Sequence, residues 1–193
     1  MALIAGLTAG CSTPADGSAA QSTAPRPLAH VTGAKASALV PSVPDRITVP
    51  AIGLDAGLDT VGLAADGTMQ TPSYDKPMRA AWYRQGPTPG EKGAAVIVGH
   101  LDTPKVPKAV FHNLKKLKKN EQIQVRRQDG SVAVFAVDSV DTFKKSQFPT
   151  KKVYGRTNGA QLRLITCGGA LNDARHWDSN VIVFAHLTGA AAT

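Results

Sequence analysis

From Arg46 onward, apolar residues recur at every second position in a series of short runs, the period at which one face of a β-strand repeats. The runs are rich in Val, Ile and Thr and predict strands over 46–52, 58–63, 80–83, 93–99, 122–127, 132–143, 161–166 and 180–186. Asp66-Gly67, Thr88-Pro89-Gly90 and Asp129-Gly130 supply turn chemistry between them. Helical spacing shows over 107–117, where Val110, Leu114 and Leu117 recur three or four apart. About eight short strands with one or two helical turns predict an all-β domain, barrel or sandwich.

Before Arg46 the pattern fails. Residues 12–45 are mostly Ala, Ser, Thr, Pro and Gly, which bury too little apolar surface to offset ordering entropy, so a flexible linker is expected. Residues 1–10 are apolar and small, and Cys11 follows. That stretch is too short to span a bilayer. It resembles the end of a secretory signal, and Thr8-Ala9-Gly10-Cys11 is similar to a lipoprotein processing box. The expected organisation is an N-terminal segment over 1–11, a tether over 12–45 and one folded domain over 46–193. It implies an extracytoplasmic, membrane-associated protein.

Composition narrows the chemistry. A formal charge of +8 favours polyanionic partners, whether nucleic acid, lipid headgroups or acidic wall polymers. The run Lys115-Lys116-Leu117-Lys118-Lys119 has little aromatic interleaving and no accompanying nucleic-acid motif, so it reads as a solvated helix end and no nucleic-acid partner is expected. No Gly-rich phosphate loop occurs. Of the two cysteines, Cys11 lies in the tail and Cys167 in an apolar run, so no disulfide is expected between them. Metal-ligand spacing is missing, and no cofactor is expected.

Cys167 ends the apolar run Leu162-Arg163-Leu164-Ile165-Thr166 and is followed by Gly168-Gly169. A strand end opening into two glycines exposes a thiol and lets a substrate backbone approach. A catalytic thiol needs a base or positive charge beside it. Among the histidines, His100 fits best, because it follows Val96-Ile97-Val98-Gly99, a second apolar strand ending at a glycine. Two such strands in one sheet bring Cys167 and His100 to one rim. Thr166, just before the thiol, is a candidate hydrogen-bond donor to substrate. Asp102 is a candidate to orient the imidazole or to form a turn before Thr103-Pro104. Arg163 shares the parity of Cys167 along its strand.

Val98-Gly99-His100-Leu101-Asp102-Thr103 and Leu164-Ile165-Thr166-Cys167-Gly168-Gly169 resemble the His and Cys motifs of sortases, and the Cys-Gly-Gly ending is similar to the class F branch found in actinobacteria. Arg46–Ile52, Gln147-Phe148-Pro149-Thr150 and Asn180–Ala185 agree with that family, so the resemblance runs over roughly 46–187. It implies an eight-stranded β-barrel, most simply a monomer, with a Cys-His-Arg site. The reaction it implies is cleavage of an LPxTG-type sorting signal between Thr and Gly through a thioacyl-enzyme, with transfer to an amine such as a peptidoglycan precursor or a pilin. The family arginine lies near the start of the strand after the Cys loop. Here that stretch, Trp177-Asp178-Ser179-Asn180, has none, and the arginine available is Arg175. Cys167, His100 and Arg175 are therefore the expected catalytic set, with Thr166, Asp102 and Gly168 in support. Other exported Cys-His peptidases, an L,D-transpeptidase and a non-catalytic wall-binding β-domain stay open as alternatives.

Overall fold

Alternation between two apolar faces organises the strands of the domain. In a computed structural model, which describes residues 36–192, they are β1 (Pro44–Val49), β2 (Leu54–Val61), β3 (Ala80–Tyr83), β4 (Gly93–Val98), β5 (Gln122–Arg127), β6 (Ser131–Lys144), β7 (Ala160–Leu171) and β8 (Trp177–Ala192). All belong to the unit Val31–Thr193. The expectations for Cys11 and for the tether up to residue 35 fall outside the described residues. The strands close in the order β1-β2-β3-β4-β7-β8-β6-β5, and the expected eight-stranded barrel is what forms. Two pairings are parallel, β2 with β3 and β4 with β7; the others are antiparallel.

One face of each strand points into the barrel. Ala95 and Ile97 of β4, Leu162 and Leu164 of β7, and Val183 and Ala185 of β8 belong to the inner cluster, with Phe111 and Phe135. Their neighbours in sequence point the other way. Val96, Ile165, Ile182 and Phe184 form a second apolar cluster on the outer face of β4, β7 and β8, and Val153 of the short helix α1 (Thr150–Tyr154) covers it. These strands therefore read as continuous apolar runs because both faces are buried.

The structure corrects the reading of 107–117. That segment is a chain of turns with one 3₁₀ turn at Leu114–Lys116 rather than a helix. Val110, Phe111, Leu114 and Leu117 are buried in the inner cluster, so their helix-like spacing reflects the plugging of a barrel end. The plug is fastened to the chain leaving β4: Phe111 N–H donates to the His100 carbonyl at 2.9 Å and Ala109 N–H to the Leu101 carbonyl at 3.1 Å. A Cβ on Gly99 would stand 2.6 Å from the Phe111 ring, so glycine is needed there for close packing. β1 is shorter than expected because Pro50, which has no N–H for a ladder, opens a 3₁₀ turn. β7 and β8 are longer, since both run past Cys167 and Asn180 into one hairpin.

Ahead of β1, residues 36–43 lie on the barrel. Ala36 N–H donates to the Leu187 carbonyl at 3.3 Å, Leu39 N–H to the Gly90 carbonyl at 2.8 Å and Ser42 N–H to Thr88 Oγ1 at 3.2 Å. The buried Arg127 guanidinium donates to the Val40 carbonyl and pairs with Asp129 at 3.1 Å. Among the described residues no helix is long and apolar enough to cross a membrane.

Phe111 carries the barrel plug and the backbone bond to His100. Phe111→Ala should cost about 3–5 kcal/mol, read as a lowered urea midpoint. A loss under about 1 kcal/mol would show that the plug is not packed as described.

Candidate active site

Strand register builds the site. In the parallel β4–β7 ladder each residue of β4 faces the one sixty-seven places later, ending with Val98 opposite Ile165. The ladder runs on, for Gly99 N–H donates to the Ile165 carbonyl at 3.1 Å. The same register sets His100 level with Cys167. On the other side of β7, Cys167 pairs directly with Asn180 of β8. Cys167 and Asn180 thus share one rung of neighbouring strands about 4.8 Å apart, and His100, two places past the end of β4, continues the row on the other side. Parity aims all three outward, in line with the outer rungs Val98–Ile165–Ile182 and Val96–Arg163–Phe184. The Cys167 thiol is free and half-buried, reachable from solvent above an apolar floor.

His100 is buried, with 8% of its surface exposed, under the loop joining β2 and β3. Its Nε2 lies 2.8 Å from the Pro72 carbonyl, and the Tyr74 ring stacks on it with centroids 4.6 Å apart. A carbonyl only accepts, so Nε2 carries the proton, and in the neutral ring Nδ1 is left as the basic nitrogen. Neither Nδ1 nor the Cys167 sulfur has a hydrogen-bond partner among the described residues. The ring is therefore held through Nε2, with Nδ1 uncommitted among the described residues.

The two glycines after the thiol shape the hairpin. The β7–β8 register slips between Gly168 and Leu171, where Gly169 takes φ of +87°. A Cβ on Gly169 would stand 2.1 Å from Asp178 Oδ1, and one on Gly168 would stand 2.7 Å from Val181 Cγ2. Asp178 Oδ1 accepts from Ala170 N–H at 3.1 Å and from Ser179 Oγ at 2.6 Å, and its Oδ2 pairs with Lys144. These contacts, first the Lys144 ammonium and then the Ser179 hydroxyl, hold the Asp178 carboxyl down to about 2. Gly-Gly thus serves the bulge itself, with a carboxylate seated in the space that side chains would occupy.

The remaining sequence candidates are spread around this row. Asp102 accepts from the Trp177 indole N–H at 2.9 Å, which clamps the chain after His100 to the start of β8 and leaves the imidazole to Pro72. Thr166 points to the opposite face from Cys167, 3% exposed, and its hydroxyl has no partner among the described residues. Gly168 is buried beneath the bulge. Arg175 lies at the exposed hairpin tip with φ of +57°, beyond the last rung at Leu171–Trp177. That puts it several rungs from Cys167, each about 3.3 Å long. Arg163 faces outward but two outer rungs below the thiol; its guanidinium donates to the Leu162 carbonyl at 3.1 Å and to Gln161, and stacks 4.8 Å over Phe184. Burial lowers its pKa to about 10, so it stays charged at neutral pH.

Pro72, Tyr74, Trp177 and Asn180 are features of the site that sequence reading passed over. The first two lie in a loop without periodicity. Asn180 was within reach, because pairing the two apolar runs back from the hairpin sets it opposite the thiol. Beside the outer cluster a shallow depression of about 290 Å³ is lined by Leu63, Gly67, Met69, Tyr83 and Tyr154. Burial, with a smaller push from Tyr83, raises the Tyr154 hydroxyl above its ordinary pKa. Two larger depressions, of about 430 and 730 Å³, are lined by neither Cys167 nor His100.

Comparison with known proteins points the same way. A profile of the sortase domain matches residues 47–188. No curated protein matches the chain. Among solved structures, sortase A of Listeria monocytogenes superposes with a TM-score of 0.57 at 16% identity, covering 79% of this chain and 90% of that one. A lid mutant of sortase A from Corynebacterium diphtheriae gives 0.56 at 19%, covering 75% and 69%. Sortase C of Streptococcus pneumoniae gives 0.55 at 22%, covering 74% and 64%. At these identities the likeness is one of fold.

Two outcomes test the bulge. Gly169→Ala should cost about 1–3 kcal/mol, measured by denaturant unfolding, since the backbone is left-handed and Asp178 must move. The depressed Asp178 carboxyl contributes fully above its ordinary value, near pH 4, and its contribution is lost as pH falls through about 2. The Ala170 amide resonance should therefore titrate with a midpoint near 2; a midpoint near 4 would disprove the carboxylate contact.

Proposed function

The chain belongs to the sortase family of cysteine transpeptidases, and from that premise we propose that it cuts an LPxTG-type sorting signal between Thr and Gly and passes the Thr acyl group to an amine of the cell wall or of a pilin. The observation that carries this reading is the row of register: a half-buried free thiol on β7 level with an imidazole whose far nitrogen is already bonded to Pro72.

In this reading Cys167 is the nucleophile and His100 its acid and base. The Cys167 thiolate adds to the Thr carbonyl carbon and forms a tetrahedral oxyanion. On collapse the C–N bond breaks, and protonated His100 gives its proton to the departing Gly amine. A thioester remains on Cys167. The accepting amine then attacks it, loses a proton to His100, and leaves as an amide while the thiolate is released. The Pro72 carbonyl holds the Nε2–H, which leaves Nδ1 to take and give the proton in this sequence. The apolar outer floor and the depression beside Tyr83 and Tyr154 suit the aliphatic part of a sorting signal. Arg175 is assigned to the substrate backbone on the side of the hairpin tip, so its loss should raise KM more than it lowers kcat. Asp102 acts in support, through Trp177.

The Cys-Gly-Gly bulge is the ground for a class F assignment. An N-terminal segment over 1–11 and a tether after it belong to the same proposal, with residues 36–45 counted in the catalytic domain because they lie on the barrel and open β1, as do an extracytoplasmic, membrane-associated place and a monomeric state. The partners are proteins that carry the sorting signal and an amine acceptor such as a peptidoglycan precursor.

Incubation of the protein with an LPxTG-type peptide and hydroxylamine should yield the Thr hydroxamate and an acyl adduct on Cys167, both detected by mass spectrometry. Cys167→Ala should abolish both, and His100→Ala should slow turnover about 10²- to 10⁴-fold. Hydroxamate formation by the Cys167→Ala protein at the wild-type rate would sink the reading.

A further inference from the structure

We propose that Asn180 is a catalytic residue, its side-chain amide donating a hydrogen bond to the oxyanion that forms when the Cys167 thiolate adds to a carbonyl. The inference rests on the assignment of Cys167 as nucleophile and goes beyond it.

Asn180 is the direct cross-strand partner of Cys167 in the antiparallel β7–β8 ladder. Side chains so paired leave the same face, with Cβ atoms about 4.5–5.5 Å apart. The flanking rung confirms the face, because Ile165 and Ile182 both lie in the outer cluster. Cys167 thus stands between His100 on one side and Asn180 on the other. A carbonyl approaching the thiol from the groove meets the proton carrier on the β4 side and the amide on the β8 side.

The polar groups beside Asn180 are already committed. Asp178 is held by Lys144, Ser179 and the Ala170 N–H; the Trp177 indole is held by Asp102. The Asn180 side chain is half-buried and has no hydrogen-bond partner among the described residues. An amide supplies two donor hydrogens. A donor fixed on a strand and aimed at the place where negative charge develops is the arrangement that stabilises a tetrahedral intermediate. The two arginines considered from sequence do not fill this place. Arg163 is two outer rungs away and bonded to Leu162 and Gln161, and Arg175 lies beyond the last rung of the hairpin.

The test compares wild type with Asn180→Ala and Asn180→Asp in two reactions: peptide transfer to hydroxylamine, and burst acylation of Cys167 by p-nitrophenyl acetate. The ester also passes through an oxyanion on Cys167, yet it needs no sorting signal. Asn180→Ala should lower kcat, and the acylation rate constant with the ester, about 10²- to 10³-fold. KM should stay within about threefold. Iodoacetamide alkylation of Cys167, which forms no oxyanion, should also stay within about threefold of wild type. Asn180→Asp, close in shape but without the donor, should fall with Asn180→Ala, which covers the case in which the alanine variant folds poorly. Ester acylation by both Asn180 variants within threefold of wild type would overturn the proposal, as would an equal loss in the alkylation rate. A wild-type protein that acylates with the ester but never with an LPxTG-type peptide would instead defeat the substrate reading, leaving the comparison of Asn180 variants intact.

Discussion

The parallel pairing of β4 with β7 is the constraint on which the rest depends. A parallel ladder fixes which residues stand level, and a shift by one place would turn one of the two side chains to the other face of the sheet. Here Val98 opposite Ile165 leaves His100 and Cys167 level and both outward. The antiparallel β7–β8 ladder adds Asn180 to the same row. Because both faces of these strands are apolar and buried, slipping the register would expose one cluster and crowd the other. The core that stabilises the barrel is thus also what holds the row in line.

Around that row the close contacts fall where strands end. Gly99 lets the Phe111 ring lie against the chain just before His100, and the Phe111 N–H takes the His100 carbonyl. Gly169 lets the Asp178 carboxylate sit inside the bulge just after Cys167. The Asp102–Trp177 bond then ties the exit of β4 to the entry of β8 across the end of β7. Each device fixes backbone or a neighbour, which leaves the thiol and the Asn180 amide without partners among the described residues. A binding groove needs such free groups, and their cost is bearable because they are only half-buried.

Much of the barrel was legible in the sequence because period-two alternation and turn residues mark strands directly. β3 and β5 have the bounds that the pattern predicts. Where the reading strayed, tertiary packing was the reason. The spacing of Val110, Leu114 and Leu117 is produced by turns that each press one side chain into the barrel end. The helix α1 escaped notice because five residues, Thr150–Tyr154, carry barely more than one turn of periodicity. Cys167 and His100 were visible as reactive residues at the ends of apolar strands. Asn180 was not, because a search for a charged side chain settles on Arg175 and passes over an amide. Its place follows only from pairing the two strands back from the hairpin.

An amide in the third place of the row divides the chemistry differently from a guanidinium. A guanidinium both donates hydrogen bonds and offsets negative charge; an amide only donates. The charge of the tetrahedral oxyanion then has to be balanced from elsewhere. In the proposed mechanism this falls to a protonated His100, whose Nε2 is bonded to the Pro72 carbonyl. Farther down the same outer face stand two fixed cations, Arg163 and Lys152, stacked against Phe184 at 4.8 and 4.1 Å. Arg163 lies two outer rungs from the thiol, and Lys152 reaches over Phe184 from α1. Lys152 is itself paired with Asp141 at 3.1 Å, so under the proposal the donor beside the thiol is neutral and the oxyanion's charge is balanced chiefly by His100.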